Sequence, residues 1–217
     1  MTGRLETESR YKKLNIECIS SYSLNFEVKE IVSIANENEI DLIVSGTKGA
    51  KGINKILFGS HTSQVMDNAH CPILAVPQFA EFKDIRKIAF ATDFHDHDFD
   101  SVRFLNDIAF QFGAEIIVVH VAHKNHSLQY ESNRLSEFTT ELAKHTDIKN
   151  ISSKIIAGDN IPERLDELIK DESIDIVAMA THKKKLFDKF FHKSLTKEML
   201  YHTHIPLLAF HLEDNHY

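Results

Sequence analysis

Asp41-Leu42-Ile43-Val44-Ser45-Gly46-Thr47-Lys48-Gly49, followed after nine intervening residues by Gly59-Ser60, is the stretch whose reading decides the fold. A short apolar run that closes on a glycine reads as a buried strand giving way to a tight loop. From Ser60 to Ala69 the pattern turns helical, and Cys71-Pro72-Ile73-Leu74-Ala75-Val76 reads as the next strand. Glycine lets a ligand come close to the backbone. Gly59-Ser60 falls where the helix begins, so free N–H groups, the helix dipole and a serine hydroxyl converge on one spot. Lys48, Lys51 and Lys55 raise the local positive potential. This combination predicts a phosphate cradle. It is not the P-loop pattern, which needs Gly-Lys-[Ser/Thr], nor a dinucleotide G-x-G-x-x-G fingerprint.

Working outward, 217 residues with 42% hydrophobic content suffice for one large core or two small ones. A net charge of −7 argues against a general nucleic-acid-binding surface. No apolar run approaches the roughly 20 residues that a membrane-spanning helix needs. The amino terminus, Met-Thr-Gly-Arg-Leu-Glu-Thr-Glu, lacks an apolar secretion core, and Cys18 and Cys71 do not make a disulfide framework. The expected compartment is the cytoplasm.

Sliding the chain on itself by 134 residues lays Asp41–Val76 over Asp175–Phe210 without a gap. Thr47 meets Thr181, Lys51 meets Lys185, Ser60 meets Ser194, His70 meets His204 and Pro72 meets Pro206, and the apolar positions agree as well. Two copies of one unit explain this most economically. The second copy reads as complete. Lys87–Thr92, Glu115–Val121 and Ile151–Ala157 have strand character, and they alternate with helical stripes at Val102/Leu105/Ile108/Ala109/Phe112, Leu135/Phe138/Leu142 and Leu165/Leu168/Ile169. Strands that alternate with helices imply a parallel, doubly wound sheet. The second copy begins near Asp84, so its counterpart should begin roughly fifty residues before Met1. The division expected is a partial unit over 1–80, lacking its first two strands, and a complete unit over 81–217. Residues 1–14 fall opposite the second helix of the unit, and Ile16–Ser20 opposite its third strand.

The order of strand, G-x2-G-x9-G-[Ser/Thr] loop, helix and Cys-Pro-led strand resembles the universal stress protein family. The match is full at Gly46, Gly49, Gly59 and Ser60 and spans roughly residues 15 to 211. The resemblance implies an α/β fold of doubly wound, mainly parallel sheets in two tandem nucleotide-binding-like units, the first incomplete. It implies a strand order of 3-2-1-4-5 in each unit, with the last strands of two units paired. In that order Ile16–Ser20 has lost its neighbour, so the first unit is truncated, packs irregularly or borrows strands from another molecule. The resemblance also implies ATP as the ligand, with phosphates held by Gly46, Gly49, Gly59 and Ser60 beside Lys48. Asp93 stands at the position of the family's first-strand aspartate, on the adenine or ribose side, and Val121 at its adenine wall.

Each site has a plainer alternative. The Gly46–Ser60 loop could be a structural turn whose glycines serve close packing, and half a pocket seldom binds tightly. In the second unit Ala180, Lys183 and Lys193 replace the loop glycines. A side chain there blocks close backbone approach, so tight ATP binding is not expected. Asp93-Phe94-His95-Asp96-His97-Asp98, with His120, His123 and His126 from the neighbouring strand end, invites a zinc reading. Against it, Asp and His between a strand and a helix serve as caps, and no metal is assigned. No G-x-S-x-G elbow or recognisable nucleophilic cysteine supports catalysis.

The expectation is a cytoplasmic stress-response protein that binds adenine nucleotide rather than turning over a substrate. The competing class is a pseudo-dimeric scaffold with no ligand. Ile73–Val76 and Pro206–Phe210, apolar and last in each unit, are expected to pair antiparallel, because an unpaired apolar edge is an aggregation hazard. A homodimer is expected to cover the apolar surface that the shortened first unit leaves bare.

Overall fold

The computed structural model describes residues 2–3, 18–19, 27–46, 60–81, 84–95, 98–145, 148, 150–182, 195, 199 and 203–212. Among them a seven-stranded sheet organises the molecule, in the order β3-β4-β9-β8-β5-β6-β7. Its strands are β3 (Ile43–Gly46), β4 (Ile73–Val76), β5 (Lys87–Ala91), β6 (Glu115–Ala122), β7 (Ile151–Ala157), β8 (Ile176–His182) and β9 (Leu207–Leu212). Helices α1 (Val28–Glu37), α2 (Ser60–Asn68), α3 (Asp98–Phe112), α4 (Leu128–His145) and α5 (Ile161–Glu172) connect them. A separate pair, β1 (Thr2–Gly3) and β2 (Cys18–Ile19), runs antiparallel.

Five strands of the second half follow the order implied by the resemblance, with β7, β6, β5, β8 and β9 as third, second, first, fourth and fifth, all parallel. Among the described residues the first half contributes β3 and β4, its fourth and fifth strands, to this sheet. The gapless repeat predicts equal registers, and they are equal: Ile43 stands opposite Ile73, and Val177 opposite Leu207. The halves join as expected, because β4 pairs β9 antiparallel with Leu74 opposite Leu208. One continuous sheet results, with the β3–β4 pair pointing against the other five strands. Cys18–Ile19 of the expected third strand does not enter this sheet. Among the described residues no strand stands beside it in the 3-2-1-4-5 order, and strand backbone groups need partners. It pairs instead with Thr2–Gly3, so these two residues are extended where the repeat set them opposite a helix.

Alternation along each strand divides the core between two faces. In β5, Ile88 and Phe90 join Val102, Leu105 and Ala109 of α3 and Leu135, Phe138 and Leu142 of α4. Ala89 turns the other way, into a layer with Val28 of α1, Val65 and Met66 of α2, and Leu165 and Leu168 of α5. Two helices on one face and three on the other make the sheet doubly wound. Helix ends repeat with the strands. Ser173 in the left-handed region lets Ile174 N–H reach the carbonyl of Ile169, and Glu39, also left-handed, lets Ile40 N–H reach Ala35 at the same 3.0 Å. Left-handed backbone costs a residue other than glycine about 1–2 kcal/mol, so the turn is over-determined by its surroundings in both copies. Pro162 lies in the first turn of α5, behind an Asn160 cap.

Candidate functional site

The carboxyl end of β3 and the amino end of α2 meet through two short contacts. Ser45 Oγ lies 3.1 Å from Thr62 Oγ1, and Thr62 Oγ1 donates to the Gly46 carbonyl at 3.2 Å. Gly46, the last residue of β3, thus lies against the first turn of the helix that opens at Ser60. Gly46 itself is exposed, and a Cβ built on it meets nothing within 4 Å. No described residue packs where a side chain at Gly46 would stand. Lys48, Gly49 and Gly59 lie outside the described residues.

Asp93 and Val121 belong to a different place. Asp93 follows β5, with its side chain 79% exposed and its carboxylate 3.9 Å from His95 Nε2. Val121, in β6, is half-buried against the layer of α1, α2 and α5. The bond from Thr92 N–H to the Val119 carbonyl, 2.9 Å, brings the ends of β5 and β6 together. Gly46 and Ser60 are not brought to this point. Three strands separate β3 from β5, and the antiparallel junction sends the two strands' carboxyl ends to opposite edges of the molecule. The described candidate residues thus fall in two separate places. In the second, the loop strand β8 passes through Ala180, beyond which Lys183 and Lys193 lie outside the described residues.

Beneath Asp93 sits a polar network that the sequence reading did not find. Glu131, in the first turn of α4, is 3% exposed. Its carboxylate takes His126 Nδ1 at 3.0 Å and Arg134 Nη1 at 3.2 Å, and lies 3.7 Å from His120 Nε2. His120 Nδ1 is 2.9 Å from the Thr92 carbonyl. A carbonyl only accepts, so Nδ1 carries the proton. Thr92 Oγ1 donates to the buried Asp98 at 2.6 Å and accepts from Phe94 N–H at 2.9 Å. Phe94, at φ +61°, lays its ring on His120 at 4.4 Å and beneath the Arg134 guanidinium at 4.4 Å. Every charge here has a partner, as buried charge requires. The network fixes the turn that carries Asp93. A glutamate in a first helical turn looks like an ordinary dipole partner in sequence, so only its contacts reveal it.

At the rim, Asp159 accepts from Lys124 N–H at 3.1 Å and lies 3.2 Å from His123 Nδ1. The backbone donor, then the neighbouring His123 and Lys124 charges, hold its carboxyl below the usual range. His120, His123 and His126 are thus each engaged with a carboxylate or a carbonyl. Among the described residues no group of three or more His, Cys, Asp or Glu side chains is placed to hold a metal ion. Asp96 and His97 of the Asp93–Asp98 stretch lie outside those residues. Cys71 is buried, and burial pushes its thiol pKa up, which suits a core thiol rather than a nucleophile. No described helix is long and apolar enough to cross a membrane.

The sequence model of the universal stress protein family matches residues 26–77 and 84–211. Universal stress protein MJ0531 of Methanocaldococcus jannaschii is 42% identical over 64 residues, which is 30% of this chain and 35% of that protein. Universal stress protein Slr1101 of Synechocystis is 38% identical over 64 residues, 30% of this chain and 59% of its own length. The chain thus spans about a third and under two thirds of these curated relatives. A universal stress protein crystal structure from Archaeoglobus fulgidus superposes with a TM-score of 0.65 at 16% identity, over 87% of this chain and 66% of that one. A putative universal stress protein from Pseudomonas aeruginosa gives 0.62 at 13% identity, over 86% and 69%. The structural likenesses support the fold, the family match covers most of the sequence, and the chain belongs to the universal stress protein family.

Proposed function

We propose that this protein binds adenine nucleotide, with ATP as the working ligand, through the Gly46–Ser60 loop, in a cytoplasmic stress response and without turnover. The observation that carries this reading is Gly46. It ends a strand pinned to a helix start, its Cβ position is open, and its exposed backbone meets the helix amino terminus, where N–H groups and dipole favour an anion. Gly49, Gly59, Ser60 and Lys48 complete the phosphate cradle by family resemblance. The second half takes no nucleotide of its own, because Ala180, Lys183 and Lys193 replace the loop glycines. Asp93 and Val121 there remain as an adenine-side half without a phosphate side.

Calorimetry of the whole chain with ATP tests the reading. Binding heat is expected in the wild type and none with Gly59→Glu, whose carboxylate sets bulk and like charge against the phosphates. Equal heat in both proteins, or none in either, would remove the proposal. One observation favours a second reading, a scaffold without ligand. Gly46 lies at the sheet edge, with no described strand on its outer side to wall an adenine.

A further inference from the structure

We propose that His123 and His126 form a surface site for a divalent transition-metal ion of the zinc class, bound through their two Nε2 atoms and completed by water. Asp159 and Glu131 orient the two rings from behind. The site lies apart from the Gly46–Ser60 loop and stands independently of nucleotide binding.

Both histidines sit on one turn after β6. His126 N–H donates to the His123 carbonyl at 2.8 Å, which closes the turn and brings residues three apart side by side. Their ring centroids stand 5.8 Å apart. Two imidazoles that share an ion through Nε2, each at about 2.0–2.1 Å, hold their centroids roughly 5–6 Å apart. The pair is therefore already at the separation a shared ion needs. Both side chains are more than half exposed, so an ion has a path from solvent.

Each ring is tied at the nitrogen that the ion does not use. His123 Nδ1 lies 3.2 Å from Asp159 Oδ1, and His126 Nδ1 lies 3.0 Å from Glu131 Oε1. A carboxylate accepts, so both Nδ1 atoms carry the proton and each neutral ring keeps its lone pair on Nε2. Asn125 N–H also approaches His123 Nδ1, but at 3.4 Å, and the nearer carboxylate decides the tautomer. A carboxylate behind a histidine is the outer shell that fixes a metal-binding ring and raises its basicity. Here it occurs twice on one four-residue turn.

Neither carboxylate is loosely placed. Glu131 is buried and held by Arg134 Nη1 at 3.2 Å. Asp159 accepts from Lys124 N–H at 3.1 Å, and Lys124 Nζ lies 3.6 Å from its other oxygen, so that lysine's charge is partnered beside the site. Among the described residues no third His, Cys, Asp or Glu side chain joins the two rings, so water completes the shell. Imidazole ligands suit zinc, copper or nickel, whereas magnesium and calcium take oxygen ligands.

The test titrates the whole chain at neutral pH with zinc chloride, and separately with magnesium chloride, by calorimetry and by NMR of the imidazole nitrogens. The chain has 14 histidines, so the assignment rests on the variants. Zinc heat is expected, with affinity at least about tenfold lower in His123→Ala and in His126→Ala, and about tenfold lower in Asp159→Asn, which leaves both ligands in place. Zinc should shift the Nε2 resonances of His123 and His126 while both Nδ1 atoms keep their protons, and magnesium should not. A fold defect would not produce that pattern. Absence of zinc heat, heat that both histidine variants retain in full, or zinc shifts confined to other histidines would overturn the proposal.

Discussion

Leu74 of β4 and Leu208 of β9 occupy the same position of the repeat and stand opposite one another across the antiparallel junction. Leu208 is 2% exposed, beneath the layer that α3 and α4 build, while Leu74 sits at that layer's margin. The strand pairs β3–β4 and β8–β9 share register and the left-handed turn that precedes them, yet among the described residues one is a sheet centre and the other a sheet edge. Burial is conferred by what neighbours a strand, so the same apolar residue is core in one half and half-buried in the other.

The largest effect expected from this contrast is in stability. Leu208→Ala should cost about 2–5 kcal/mol, the range for emptying a packed leucine site, and Leu74→Ala clearly less in the same urea titration. Equal losses would mean that the β3–β4 face is covered as well as its counterpart. Next comes the aspartate pair of the repeat. Asp175 Oδ2 accepts the N–H groups of Arg86 at 2.8 Å and Lys87 at 3.0 Å, where β5 opens. Asp175→Ala leaves these two amides without their acceptor and should cost about 1–3 kcal/mol. Asp41→Ala should stay within about 0.5 kcal/mol, as a surface change does. A large loss at Asp41 would show that it holds an equivalent contact.

The smallest effect is electrostatic and belongs to the second half alone. Glu172 binds Lys154 and, at 3.2 Å, Lys87, and these side-chain hydrogen bonds, first with Lys154, hold its carboxyl below the ordinary 4.5. A folded-state pKa that is depressed adds stability above the unfolded value, and that stability disappears as pH falls through the folded one. Wild type should therefore melt slightly higher than Glu172→Gln above about pH 4.5, with the two curves converging in stronger acid. A gap that widens in acid would contradict the sign.

Much of this contrast was legible in the residues. Because the repeat runs from Asp41 to Val76 without a gap, it carries strand register with it, and the pairing of Ile43 with Ile73 and of Val177 with Leu207 follows. The apolar last strands announced their antiparallel junction, since an exposed apolar edge must find a partner. Cys18–Ile19 was less legible. Local pattern marks it as extended, but its partner depends on which strands are present to receive it, and Thr2–Gly3 gave no signal as that partner. The Glu131 network also stayed hidden. His120, Glu131, Arg134 and Phe94 come from a strand, a helix and a turn, and they meet only once β5 and β6 lie side by side. Gly46 was legible as a glycine at a strand end, whereas its contact with Thr62 needed the fold.

The division of labour between the halves is tested most directly by photoaffinity labelling of the whole chain with an azido-ATP, followed by mapping of the labelled peptides. Label is expected within residues 46–60 and absent from residues 180–194, and Gly59→Glu should abolish it. Label in the second half's lysine-bearing loop, or equal labelling of Gly59→Glu, would show that side-chain charge alone holds the nucleotide and that the glycine loop does not distinguish the two halves.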